Sequence, residues 1–195
     1  MLDVYSWIFI IVFGLTFLIA FVYNCIKVYI SNKYFTKECI EAYEETIQKY
    51  NFSINDTVDE IVKKMGKEIQ YKAMKKEAYI DKKAPHIVQV RSDLSERKKN
   101  FAVCHELGHS LRGFKYRAAR DKNFLSRISP EEQICDYYAA AILLPVSDVR
   151  KKLEDVQYSN LSQEKKKDFI QDMANSKNIM EEVVFRRIDE INLMN

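Results

Sequence analysis

The sequence predicts an α+β chain, mainly helical, with a small sheet and one apolar helix ahead of the rest. Three observations lead there. An uncharged apolar run opens the chain, three short runs of Ile, Val and Tyr lie together before residue 92, and long stretches of helical periodicity fill the remainder. With 4 glycines and 3 prolines in 195 residues, few breaks interrupt those helices. This length has room for one soluble domain and an appendage. The 31 basic and 28 acidic residues leave a net charge of +3, too balanced for bulk nucleic-acid binding, so no direct nucleic-acid contact is expected. Arg97-Lys98-Lys99 and Lys165-Lys166-Lys167 read as solvated helix faces.

The apolar run comes first. Val4 to Ile26 holds no charged side chain, and a helix of that length covers the roughly 30 Å hydrocarbon core of a bilayer. Trp7 and Tyr23 stand near its ends, where amphipathic rings favour the interface. A cleaved signal peptide would call for a basic start and a small-x-small site, whereas MLDVYSW has Asp3 and no base, and no such site follows. Residues 1–30 are therefore expected to form an uncleaved, single-pass membrane anchor through residues 4–26. Lys27, Lys33 and Lys37 follow the span and only Asp3 precedes it, which places the C-terminal part in the cytoplasm by the positive-inside rule. The four cysteines, with no Cys-x-x-Cys pair, suit reduced thiols in that compartment.

Residues 31–53 are expected to form a helical linker, and 54–195 the folded domain. Asn55-Asp56-Thr57 caps a short helix with Ile61, Val62 and Met65 apolar and Gly66 as its stop. Strands are predicted over Glu68 to Met74, Glu77 to Asp81 and His86 to Arg91, with Pro85 opening the last. From Leu94 to Leu111 the helical period returns, with Phe101, Cys104, Gly108 and Leu111 on one face. A loop over Gly113 to Arg127 leads to another helix, with Ser129 as N-cap, Pro130 in the first turn and Pro145 at its end. Two or three further helices complete the chain, their apolar faces supplied by Phe169, Ile170 and Met173, then Val183, Val184, Ile188 and Ile191.

The helix before Leu111 carries the most telling spacing. His105 and His109 are four residues apart, hence on one face one turn apart, and can converge on a single ion. Glu106, beside the first, can exchange a proton with water on that ion. A catalytic zinc also needs a third protein ligand. Glu132 is preferred, because Asp136 follows four residues later on the same face and can accept the second ring N–H of a histidine ligand. Glu131 is the fallback. The competing role for Glu132 is a capping box with Ser129. Gly108 and Ala139-Ala140-Ala141 permit the two helices to approach closely. Cys104 and Cys135 point about 100° away from their ligand neighbours and read as small core residues. A donor to a developing oxyanion is open among Tyr137, Tyr138, Tyr116, His86 and Arg112.

RKKNFAVCHELGHSL followed by EQICDYYAAAILLP resembles the ImmA/IrrE family of metallopeptidases over about Ile54 to Ile191. That resemblance implies a zincin-like core with a small sheet beside the active-site helix. It implies Zn2+ held by His105, His109 and Glu132, with Glu106 as general base and Asp136 as the supporting carboxylate. His86 to Arg91 would be the edge strand that pairs with an extended substrate. Known members cut helix-turn-helix repressors, so the implied activity is regulatory proteolysis of such a protein. The chain departs from the family at Cys104, Cys135 and Tyr138, and most of all in its membrane span. The alternative is a non-catalytic regulatory binding protein on the same scaffold, against which Glu106 counts.

Overall fold

The computed structural model describes residues 4–81, 83–112 and 129–194. The backbone divides into two units, Met1–Thr36 and Lys37–Asn195. The first unit is built on α1 (Val4–Tyr34), whose stretch Ile11–Ile30 has a mean hydropathy of 2.0 and is long and apolar enough to cross a membrane. Its side chains from Ile11 to Val22 are exposed.

The helix expected to run on from residue 31 breaks at Phe35 and Thr36, an aromatic and a β-branched residue that favour helix less. It resumes as α2 (Lys37–Gln48), which belongs to the second unit. Ile40, Glu44 and Ile47, one stripe at helical spacing, are buried there, so this part of 31–53 packs into the fold. The short α3 (Val58–Lys64) starts with a reciprocal capping box: Glu60 N–H donates to Thr57 Oγ1, and Thr57 N–H donates to the Glu60 carboxylate. Gly66, at φ +66°, turns the chain out of it.

Strands β1 (Glu68–Lys72), β2 (Ala78–Asp81) and β3 (Ala84–Arg91) form one sheet in the order β1-β3-β2. β1 runs parallel to β3 and β2 antiparallel to it, through a tight connection in which Lys83 N–H donates to Asp81 Oδ1. The expectation that His86 to Arg91 forms the edge strand is thereby overturned: β3 bonds to a strand on each side, and among the described residues β2 and β1 are the edges. Val88 and Val90 of β3, with Ala78 and Ile80 of β2, enter the core beneath α4 (Glu96–Leu111).

α4 is buried continuously from Phe101 to His109. α5 (Pro130–Leu143) lies against it and is as deeply buried from Ile134 onward, apart from Asp136. α6 (Val146–Asp155), a 3-10 turn, α7 (Gln163–Lys177) and α8 (Glu181–Asn192) follow, with α8 packed on α5 and α7. Among the described residues the fold is a mainly helical α+β domain with a small sheet beside α4, in keeping with a zincin-like core.

Candidate metal centre

The meeting of α4 and α5 creates the site, and Gly108 permits it. A Cβ at that position would lie 3.0 Å from the Cys135 carbonyl oxygen and 3.1 Å from the Tyr138 Cβ, closer than a real side chain tolerates without movement. Beside this contact and one turn before it the polar groups converge. His105 Nε2 lies 3.0 Å from Glu132 Oε2, and His109 Nε2 lies 3.6 Å from Glu132 Oε1. One ligand atom from each of His105, His109 and Glu132 falls within 4.8 Å of the other two, a group that could hold a metal ion.

Both Nδ1 atoms face neighbouring residues of α5. His105 Nδ1 is 2.7 Å from Asp136 Oδ1, and His109 Nδ1 is 3.2 Å from Cys135 Sγ. The rings are thus held from behind while their Nε2 atoms point at Glu132, and two imidazole nitrogens with one carboxylate are a donor set that suits zinc. Ser129 is the N-cap of α5 and makes no side-chain capping bond. Cys135, expected only as a small core residue, also contacts a histidine. Cys104 is buried away in the core, and burial raises its thiol pKa to about 12.

Burial sets the electrostatics. It pushes the Glu106 carboxyl up to about 7, against the opposing pull of His105 beside it and the smaller one of the Ile80 backbone on β2. For His105, burial works against the charged ring, but the Asp136 and Glu132 carboxylates outweigh it and raise the ring to about 9. Burial, with His105 beside it, lowers His109 to about 4. Glu132 stays below the ordinary carboxylate range because the histidines outweigh its own partial burial. Without metal, the centre holds a proton between His105 and the acids, in the place a cation would take.

Of the remaining sequence candidates, His86 is exposed on β3 and Glu131 is not in the three-residue group. Tyr137 turns its hydroxyl toward Glu44 and Arg187. Arg112 caps the C-terminus of α4. Tyr116 and the loop over Gly113 to Arg127 lie outside the described residues. Sequence reasoning missed a buried ionic cluster behind α5, made by Glu44, Arg187 and Glu190. Each sits on an apolar face, Glu44 between Ile40 and Ile47 and Arg187 between Val183 and Ile191, which is the signal that could have revealed it.

A histidine pair on a buried helix, a glutamate between them and a carboxylate from the next helix define a metallopeptidase-like centre. The chain belongs to the peptidase family described as the IrrE N-terminal-like domain, which it matches over residues 62–182, more than half its length. Among solved structures, a Mycobacterium tuberculosis transcriptional regulator shares the fold at a TM-score of 0.54 and 12% identity. The similarity covers 83% of this chain and 50% of that one, so the chain spans half the length of that protein. No curated protein matches the sequence.

Proposed function

We propose that the chain is a membrane-anchored, cytoplasm-facing zinc endopeptidase that carries out regulatory proteolysis, with a helix-turn-helix repressor or a similar regulator as its protein substrate. The observation that carries this reading is the convergence of His105, His109 and Glu132, with Glu106 buried beside them. His105, His109 and Glu132 would hold the ion, and Asp136 would fix the ring of His105. When bound, zinc supplies a Lewis acid that polarises a peptide carbonyl and acidifies water. Glu106 takes a proton at its carboxylate from the attacking water and returns it to the leaving amine, a task suited to a group held near neutrality.

β2 is the edge strand whose Ile80 backbone reaches Glu106, so an extended substrate segment added to that edge would run past the centre. Residues 1–30 serve as the anchor, and 54–195, with α2 packed into them, carry the peptidase fold. The lysines after the span, Lys27, Lys33 and Lys37, support the cytoplasmic orientation. Similarity to a transcriptional regulator is in keeping with a regulatory setting. The test is to incubate the purified full chain with repressors of this type: cleavage should require metal and vanish in Glu106→Gln. Cleavage that persists in Glu106→Gln sinks the mechanism.

A further inference from the structure

The back of α5 is gripped by residues that lie outside the family match at 62–182. Arg187 of α8 has no exposed surface. Its Nε donates to the Leu144 carbonyl at 2.9 Å, its Nη1 donates to the Tyr137 hydroxyl at 3.2 Å, and its Nη2 lies 2.8 Å from Glu44 Oε1 on α2. The Tyr137 hydroxyl donates to that same Glu44 carboxylate. Arg186 works beside it: Nε donates to Glu190 Oε1 at 2.7 Å, Nη2 donates to the Gln133 carbonyl at 3.2 Å, and Nη1 stands 4.0 Å from Asp136 Oδ2.

The two arginines therefore hold α5 at Gln133, Asp136, Tyr137 and Leu144, from the turn that bears Glu132 to the C-cap. Tyr137 directly follows Asp136 in the chain, so a rotation of α5 that moved Glu132 and Asp136 off the histidines would also pull the Tyr137 hydroxyl from Arg187 and Glu44. Arg187 would keep Glu44 and Glu190, but the buried Tyr137 hydroxyl would lose both of its partners in a dry interior, which opposes the rotation. Glu44 comes from α2, which begins three residues after the apolar helix ends.

We infer that Glu44, acting through Arg187 and Tyr137, is a positioning residue for the metal centre, so that the helix following the apolar span sets the register in which Glu132 and Asp136 face His105 and His109. This rests on the reading of those carboxylates given under Proposed function. The matched family region contains α5 but neither α2 nor the arginine pair, so the clamp is contributed by the flanks of this chain.

The experiment uses the full chain in detergent micelles, stripped of metal and titrated with Zn2+ against a chromophoric chelator, with Co2+ absorption as a second readout. Glu44→Gln should weaken Zn2+ binding about tenfold, shift the Co2+ bands and shrink the rise in melting temperature that metal produces. Glu45→Gln, at the exposed neighbouring position, should change none of these. A residue that only supports the fold would lower the melting temperature equally with and without metal and leave affinity and spectrum intact; that result overturns the inference. If Glu44→Gln does not fold, Tyr137→Phe, which keeps the ring and removes only the hydroxyl that Glu44 and Arg187 hold, is read in the same way, and unchanged Zn2+ affinity there overturns it. A wild-type chain that binds no metal defeats the reading of the centre itself. A metal-binding wild type with an equally tight Glu44→Gln defeats the positioning role alone.

Discussion

Gly108 of α4 and Cys135 of α5 are in backbone contact: a Cβ on the glycine would meet the Cys135 carbonyl oxygen at 3.0 Å and its Cα at 3.1 Å. The positions next to them, His109 and Asp136, belong to the centre, so helix spacing and donor spacing are one quantity. Gly108→Ala must push the helices apart by a few tenths of an ångström. We expect a loss of about 1–3 kcal/mol in stability together with weaker metal binding, measured by denaturant unfolding and zinc titration. An alanine variant as stable and as tight as the wild type contradicts the close-contact account.

Asp136 reaches the ring nitrogen of His105 that faces away from Glu132. Asp136→Asn keeps the size and loses the charge, and its zinc affinity is expected to fall about ten- to a hundredfold. Competition titration gives the number directly, and an unchanged affinity would remove Asp136 from the site.

Zinc must displace the proton that the acids stabilise on His105, whose ring is raised to about 9 in the metal-free protein. His109, lowered to about 4, and Glu132, lowered as well, offer no competing proton at neutral pH. Apparent affinity should therefore climb about tenfold per pH unit between pH 7 and 8 and level off near pH 9. A flat profile over that window would show that His105 carries no such proton.

Glu106 gives a stability test independent of activity. Its folded pKa, about 7, is above its unfolded value, so the folded state holds the proton more tightly. The stability this contributes is complete at acid pH and is lost as pH rises through about 7. Glu106→Gln cannot ionise. The metal-free variant should thus match the wild type near pH 4 and exceed it by on the order of 3 kcal/mol at pH 8. Melting curves across that range check the sign; a gap that narrows toward alkaline pH contradicts the burial argument.

Local signals in the sequence translated well into structure. Asn55-Asp56-Thr57 announces a helix cap, Ser129-Pro130 a helix start, and the spacing of His105 and His109 a shared face, because each depends on neighbours in the chain. What depended on distant pairing was harder to read. The order of the sheet, with β3 between β1 and β2, rests on a parallel pairing of β1 with β3 past the intervening β2 that no single strand encodes. Glu44 and Arg187 look like surface charges one at a time, and only their meeting across 143 positions explains why both can be buried. Glu132 was legible as a candidate through Asp136, yet its choice between cap and ligand turns on α4 being near.

The central claim is that Glu132 completes a zinc centre with His105 and His109. The most direct measurement is the zinc content of the purified full chain beside that of Glu132→Ala and Glu131→Ala. The account predicts one zinc per chain in the wild type and in Glu131→Ala, and its loss in Glu132→Ala. Full zinc retention in Glu132→Ala would contradict it.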